Sequence, residues 1–253
     1  MTTNVLITGA NRGIGRGLAE AILSRPNHVL FAGVRDLATP SATSLLAFPA
    51  AQGSSVVLIK LESTCESDYP AAISKIQESG VSHLDIVIAN AGIAGAYSRV
   101  EGIAISDLRL MFEVNTYPVV SLLKAVYPLL KNTAETKGAG SAKFVAVSTN
   151  AASIQDLAEN TPFLLGSYGA SKAAVNYLVR RAQFESQWLT AFVVNPGFAQ
   201  TDMGAAGAKY FGLDQAAVSV KDSVAGIMKH IDEATRERSS GRFFNYDGLE
   251  LKF

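Results

Sequence analysis

Tyr168 and Lys172 stand four residues apart in the run Tyr168-Gly-Ala-Ser-Lys172. On a helix that spacing sets a phenol and an amine one turn apart on the same face. A free tyrosine titrates at about pH 10 and moves protons poorly at neutrality. An ammonium one turn away favours the phenolate and draws that titration toward the working range. The pair is therefore a candidate acid/base unit. The same spacing also occurs on ordinary solvated helix faces, so the pair takes its meaning from what lies upstream.

Upstream, the apolar run Val5-Leu-Ile7 leads straight into Thr8-Gly-Ala-Asn-Arg-Gly-Ile-Gly15, and a helical pattern follows. Glycines permit a tight turn and let backbone N–H groups approach a pyrophosphate. The helix N-terminus adds the positive end of its dipole. Strand, turn and helix in that order are what a dinucleotide site requires. Gly9, Asn11, Arg12, Gly13, Ile14 and Gly15 are the candidate phosphate-side residues. The second apolar run ends Ala32-Gly-Val-Arg-Asp36 and places Val34 where an NAD site offers an acidic residue to the ribose. Arg12 and Arg35 instead offer two guanidiniums that suit a ribose 2′-phosphate, so NADP(H) is the expected cofactor. Two alternatives stay open: either arginine is a solvated surface residue, or a shifted register brings Asp36 to the ribose and favours NAD.

These residues need a frame to hold them. The chain has 253 residues, 48% hydrophobic and 17% charged, enough to bury a substantial core. Its 22 Lys+Arg balance 22 Asp+Glu, leaving no basic excess for nucleic acid or an anionic membrane. The single cysteine, Cys65, excludes an intrachain disulfide and zinc-finger spacing. No apolar stretch reaches transmembrane length and the first residues carry no signal-like pattern, so a soluble, cytoplasmic protein is expected. His28, His83 and His230 lie in separate segments, and no metal is expected. Six β-branched runs read as buried strands: Val5–Ile7, Val29–Ala32, Val56–Ile59, Ile86–Ala89, Phe144–Val147 and Ala191–Val194. A seventh lies near 242–246. Amphipathic segments fall at 14–25, 66–79, 106–131, 168–187 and 221–234, and 133–141 reads as a surface loop. The alternation predicts a Rossmann-like, doubly wound parallel α/β sheet of about seven strands, helices on both faces, in a single domain over 1–253.

Taken together, the turn, the Tyr/Lys pair and the strand order resemble the short-chain dehydrogenase/reductase family, in its compact branch and over essentially the whole chain. Within that branch, Val5–Gly15 and Phe31–Asp36 resemble fungal ketoreductases related to norsolorinic acid ketoreductase. The resemblance implies further assignments. Ala89-Asn-Ala-Gly92 is similar to the family's Asn-Asn-Ala-Gly element and would put Asn90, Ala91 and Gly92 beside the adenosine ribose, with Ala89 replacing the first Asn. Asn115 would hold a water in a proton relay to the lysine. Leu61 and Glu62 would contact adenine, Glu62 standing where the family has Asp. Pro196, Gly197, Ala199 and Thr201 would lie near the nicotinamide carboxamide, and Lys172 would bind the nicotinamide ribose. The family also implies a homodimer or homotetramer built through the helices at 106–131 and 168–187.

One position departs from the family pattern. A serine should follow the fifth strand; here the strand ends Val147-Ser-Thr-Asn-Ala-Ala-Ser153. The pattern puts the active hydroxyl on Thr149, with Ser148 as the alternative and Ser153 as a lesser one. From Thr149 to Tyr168 is 19 residues, longer than the family's common interval. The extra stretch 154–163 is either part of a substrate mouth or an inert surface insertion. The expected chemistry is hydride transfer to the carbonyl of a hydrophobic, aromatic or polyketide-like ketone, with Tyr168 as proton donor. Met203, Tyr210, Phe211 and Leu213 in a Gly/Ala-rich stretch suggest a mobile apolar lid, and Ile93–Tyr97 another wall; both sets also fit core or interface roles. An imine or another secondary-metabolite intermediate as substrate, and a nonenzymatic dinucleotide sensor, are the competing readings.

Overall fold

The computed structural model describes residues 2–95, 97–160 and 163–253. In chain order the elements are β1 (Thr3–Thr8), α1 (Gly13–Leu23), β2 (His28–Val34), α2 (Pro40–Leu46), β3 (Ser55–Lys60), α3 (Asp68–Glu78), β4 (Ile86–Ala89), α4 (Ile105–Asn115), α5 (Tyr117–Lys137), β5 (Ala142–Val147), α6 (Leu157–Asn160), α7 (Gly166–Glu185), β6 (Leu189–Asn195), α8 (Asp202–Tyr210), α9 (Val220–Glu233), α10 (Arg236–Ser239), β7 (Phe243–Asn245) and β8 (Glu250–Leu251). The sheet runs β3-β2-β1-β4-β5-β6-β7-β8. It is parallel through β7, and β8 returns antiparallel along the edge.

The strands are continuously apolar because both faces are covered. Side-chain alternation sends Phe144 and Ala146 of β5 into one core with Val119, Leu122 and Val126 of α5 and Val175 and Val179 of α7. Val145 and Val147 enter the opposite core with Leu18 and Ile22 of α1 and Val224 and Ile227 of α9. The strand order reverses direction between β1 and β4, so the crevice at their carboxyl ends is where such a sheet accepts a ligand. The Gly-rich turn, Asn90 and Thr149 all lie at that edge.

Four sequence expectations change. There is an eighth strand. The 106–131 segment is two helices, broken at Thr116 (φ −105°, ψ −58°) ahead of Pro118. The 133–141 loop is mostly helix: α5 continues past Pro128 to Lys137, because its buried stripe Val126, Leu129, Leu130, Thr133 and Ala134 keeps helical spacing and burial offsets the lost ladder bond. Gly138, at φ +98°, ends it. The stretch 202–210 is the helix α8, N-capped by Thr201. No helix among the described residues is long and apolar enough to cross a membrane.

Candidate active site

The end of β5 meets α7 through three consecutive residues. The Val147 carbonyl accepts from Lys172 Nζ at 2.8 Å. Ser148 Oγ donates to Asn176 Oδ1 at 2.6 Å. The Thr149 hydroxyl, which accepts from Ala151 N at 3.3 Å, stands beside the Tyr168 phenol and draws its titration down. Tyr168, Lys172 and Asn176 occupy successive turns along one side of α7. The helix comes this close because residue 169 is glycine: a Cβ there would lie 2.7 Å from the Ala151 carbonyl. Thr149 opens a 3-10 turn over Asn150–Ala152, and Ser153, whose Oγ accepts from Asp156 N at 3.0 Å, is committed to the following turn. Ser148 and Thr149 thus differ in surroundings. Ser148 is 1% exposed beneath α7, whereas Thr149 is half-buried at the crevice.

Burial sets the titration of the pair. It pushes Tyr168 up to about 12, against the opposing pull of the Thr149 hydroxyl, and the nearby Tyr97 phenol adds to the rise. It pushes Lys172 down to about 8. The sequence expectation that the lysine draws Tyr168 downward is therefore reversed here: loss of hydration dominates both groups, and the ammonium is turned to the Val147 carbonyl.

Asn115, 1% exposed, is the last residue of α4. Its Oδ1 accepts from Ile93 N at 2.8 Å, and its Nδ2 donates to Ile93 O at 3.0 Å and Ser171 Oγ at 3.1 Å. The side chain is a brace between the 93 segment and α7. Pro118 has no N–H for Val114, and Val119 N turns to Thr116 O at 3.1 Å, so the helical ladder is interrupted at Asn115. Gly92 makes room here: a Cβ would meet Asn115 Oδ1 at 3.0 Å and Lys172 Nζ at 3.4 Å.

The cofactor-side residues line the rest of the edge. Gly9 holds φ +64°, and a Cβ on Gly15 would collide with the Gly9 carbonyl, so the cradle exists only without side chains. Ile14 is buried behind it. Asn90 Nδ2 donates to Thr8 O at 2.9 Å and Gly9 O at 3.2 Å, while Asn90 N and Ala91 N both donate to Thr8 Oγ1 at 3.0 Å. Asn90 therefore props the turn from below. Thr201 closes the other side, its methyl 3.2 Å from a Cβ built on Gly13. Pro196 O accepts from Ser223 Oγ at 2.6 Å, Gly197 (φ +74°) packs against Tyr246, and Ala199 bridges to Val218. Asn11 Nδ2 donates to Ser41 Oγ at 2.8 Å. Arg12, the N-cap residue of α1, is exposed. Arg35 is exposed just after β2, with its Nε 3.7 Å from Glu62 Oε2. Val34 is fully buried, and Asp36 Oδ1 accepts from Ala38 N at 2.9 Å in its own turn. Leu61 is buried, and Glu62 N donates to Asp68 Oδ2 at 2.9 Å.

Over this edge sits an aromatic cluster from three segments. Tyr97 stacks on Tyr210 with ring centroids 4.2 Å apart, and Phe211 meets Tyr97 and Phe163 edge-on, each at 5.2 Å. Of the proposed walls, Ala96, Thr161 and Pro162 lie outside the described residues. The 154–163 stretch is tied at its start: Gln155 N donates to Phe253 O at 3.0 Å, and the Arg180 guanidinium lies 4.5 Å above the Phe253 ring. Sequence reading missed Asn176, Gly169 and Phe253. Their signal is tertiary: which face of β5 meets α7, and where the chain's last residues return.

The short chain dehydrogenase family profile matches residues 3–209. The chain belongs to that family and is an oxidoreductase of it. It is 41% identical over 251 residues to the norsolorinic acid ketoreductase nor1 of Dothistroma septosporum, covering 98% of this chain and 92% of that protein. Among solved structures it resembles the NADPH-bound carbonyl reductase from chicken fatty liver (TM-score 0.86, 30% identity, 100% of this chain and 99% of that one). It also resembles the carbonyl reductase Sniffer of D. melanogaster (TM-score 0.85, 27% identity, all of both chains).

Proposed function

We propose that this protein is an NADP(H)-dependent ketoreductase acting on a hydrophobic, aromatic ketone, with Tyr168 as proton donor and Thr149 as the hydroxyl that polarises the substrate oxygen. The observation that carries the reading is the β5–α7 junction, where Lys172 is bonded to the Val147 carbonyl and Thr149 stands beside Tyr168, beneath an aromatic mouth. NADP(H), when bound, supplies the hydride. The Gly9–Gly15 turn would hold its pyrophosphate and Arg12 and Arg35 its 2′-phosphate. Leu61 and Glu62 would lie at the adenine, Ala91 and Gly92 at the adenosine ribose, and Ala199 and Thr201 at the carboxamide. The NADPH bound by the similar carbonyl reductase supports that choice of cofactor.

Thr149 donates to the carbonyl oxygen and Tyr168 gives it a proton as the alkoxide develops. Tyr168 is suited to donating because burial keeps it protonated across the physiological range. Lys172 orients the nicotinamide ribose, and the break in the ladder at Asn115 offers a carbonyl for a relay water. The ketoreductase relatives and the four-ring cluster both support an aromatic substrate. Exposed Leu110, Tyr117 and Val120 on α4 and α5, with Tyr177 and Phe184 on α7, support self-association through those helices. Light scattering would measure it.

The test is turnover of NADPH and NADH with a panel of aromatic ketones and imines, followed at the nicotinamide absorbance. NADPH-selective ketone reduction is the expected result. Tight NADPH binding without turnover of any member would overturn it in favour of a sensor, and an NADH preference would reject the roles of Arg12 and Arg35.

A further inference from the structure

The mechanism above uses Thr149, Tyr168 and Lys172. It leaves Ser148 and Asn176 without a role, although both are buried at 1% and 2% exposure and bonded to each other at 2.6 Å. This bond lies between two working contacts. On one side Lys172 Nζ reaches the Val147 carbonyl; on the other the Thr149 hydroxyl reaches Tyr168. Strand alternation forces the arrangement. Phe144 and Ala146 point into the α7-side core, so Ser148, two residues on, points there as well. Asn176, one turn beyond Lys172, is where its hydroxyl lands. The Asn176 side chain is also incompletely used: Nδ2 has no hydrogen-bond partner among the described residues. A buried amide with an orphaned donor is a poor stabilising device, since desolvation of that donor goes uncompensated. Its distinctive contribution is positional.

We propose that Asn176 is a positioning residue for the reaction, fixing the β5 end through Ser148 so that Thr149 faces Tyr168. The proposal rests on the ketoreductase reading above and deepens it. Two adjacent hydroxyls thereby take different parts in the reaction, Ser148 orienting the strand end and Thr149 touching the substrate.

The experiment compares Ser148→Ala, Asn176→Ala and the double variant with Thr149→Ala in the full-length protein. It measures kcat, KM for ketone, NADPH affinity by fluorescence titration, and thermal unfolding. Both single variants are expected to lose about ten- to a hundred-fold in kcat, the scale of a small misplacement of reacting groups, with ketone KM and NADPH affinity within about two-fold of wild type. The double variant should be no worse than the weaker single, because one bond is removed twice. Ser148→Thr and Asn176→Asp, which keep donor and acceptor respectively, should recover most of the rate. If Asn176→Ala does not fold, Ser148→Ala, which removes one oxygen, carries the test. Unchanged kcat with a lowered unfolding temperature would overturn the proposal, as would additive losses in the double variant. Loss of activity in Ser148→Ala with Thr149→Ala active would reject the Thr149 assignment itself.

Discussion

The β5–α7 junction and the aromatic mouth are built from different materials. At the junction, direction comes from hydrogen bonds between adjacent chain positions and an opposed helix: Val147 to Lys172 and Ser148 to Asn176, with Thr149 beside Tyr168. At the mouth, Tyr97, Phe163, Tyr210 and Phe211 meet through ring faces and edges, and Tyr210 and Phe163 are exposed. Hydrogen bonds fix angle and distance; ring contacts are weaker per pair and tolerate rearrangement. On the proposed function, chemistry falls to the first region and choice of substrate to the second. Substitutions at the junction should lower the rate for every substrate. Those at the mouth should change which substrate is used.

The sharpest test of the first half is Tyr168→Phe. It removes one oxygen, leaves the ring packing intact and deletes the proposed proton donor. Turnover should fall by about 10³-fold for every ketone tried, while NADPH still binds. A variant that kept activity toward one ketone class would break the division.

Lys172 probes the junction differently, through stability. Its titration is lowered from 10.5 to about 8 by burial. Below pH 8 the folded protein carries a buried charge and its destabilisation is complete. Between pH 8 and about 10.5 the folded state has released the proton while the unfolded state still binds it, so stability rises with pH. The shift corresponds to roughly 3 kcal/mol. Tyr168, raised to about 12, acts in the opposite direction between pH 10 and 12, where stability falls as pH rises. The window from 8 to 10 therefore separates the lysine from the tyrosine, and Lys143, also lowered by burial, adds to the rise. Lys172→Met should be inactive, more stable at pH 7 by about 1–3 kcal/mol, and less steep than wild type across that window in denaturant titrations.

Much of this was legible in the sequence, and unevenly so. Strand runs, the Gly-rich turn and the Tyr/Lys pair are local patterns, and local patterns survive without a partner in view. What failed was tertiary. Periodicity alone read a single helix at 106–131, because Thr116 breaks it through backbone angles that no composition announces. Gly138 and Gly140 made 133–141 read as a loop, and the buried Thr133 and Ala134 carry the helix on to Lys137. The family pattern favoured Thr149 over Ser148 without showing how their surroundings differ; that depends on which β5 face meets α7. Burial reversed the expected direction of the Tyr168 titration, because a spacing reports proximity to Lys172 and says nothing about lost water.

At the mouth, Tyr210→Ala removes the ring stacked 4.2 Å from Tyr97. An aromatic stack contributes about 0.5–1.5 kcal/mol, so a several-fold to ten-fold rise in KM is expected for a large aromatic ketone. A small aliphatic ketone should show little change, and kcat should hold for both. Equal losses for the two would place Tyr210 with the junction.

The smallest expected effect lies farthest from the chemistry. Among the described residues, Phe253 reaches the mouth through the backbone of Gln155, held by its carbonyl at 3.0 Å, while its ring lies under Arg180 at 4.5 Å. Lys252 adds a 3.9 Å contact to Asp156, mostly exposed on the lysine side and therefore weak. Phe253→Ala removes the cation–π contact and the packing against Phe243, whose ring centroid is 5.8 Å away. The backbone bond to Gln155 then loses its anchor, and the segment leading to Phe163 is freer to shift. The expected outcome is a two- to five-fold change in the preference for large over small ketones, about 0.5–1 kcal/mol. Turnover at saturation should be unchanged, since Thr149 is held by α7 and not by the 253 end. Arg180→Met keeps the hydrocarbon length and removes the charge, and should move selectivity in the same direction by less. If Phe253→Ala instead lowered kcat for every substrate, the mouth and the junction would be one mechanical unit.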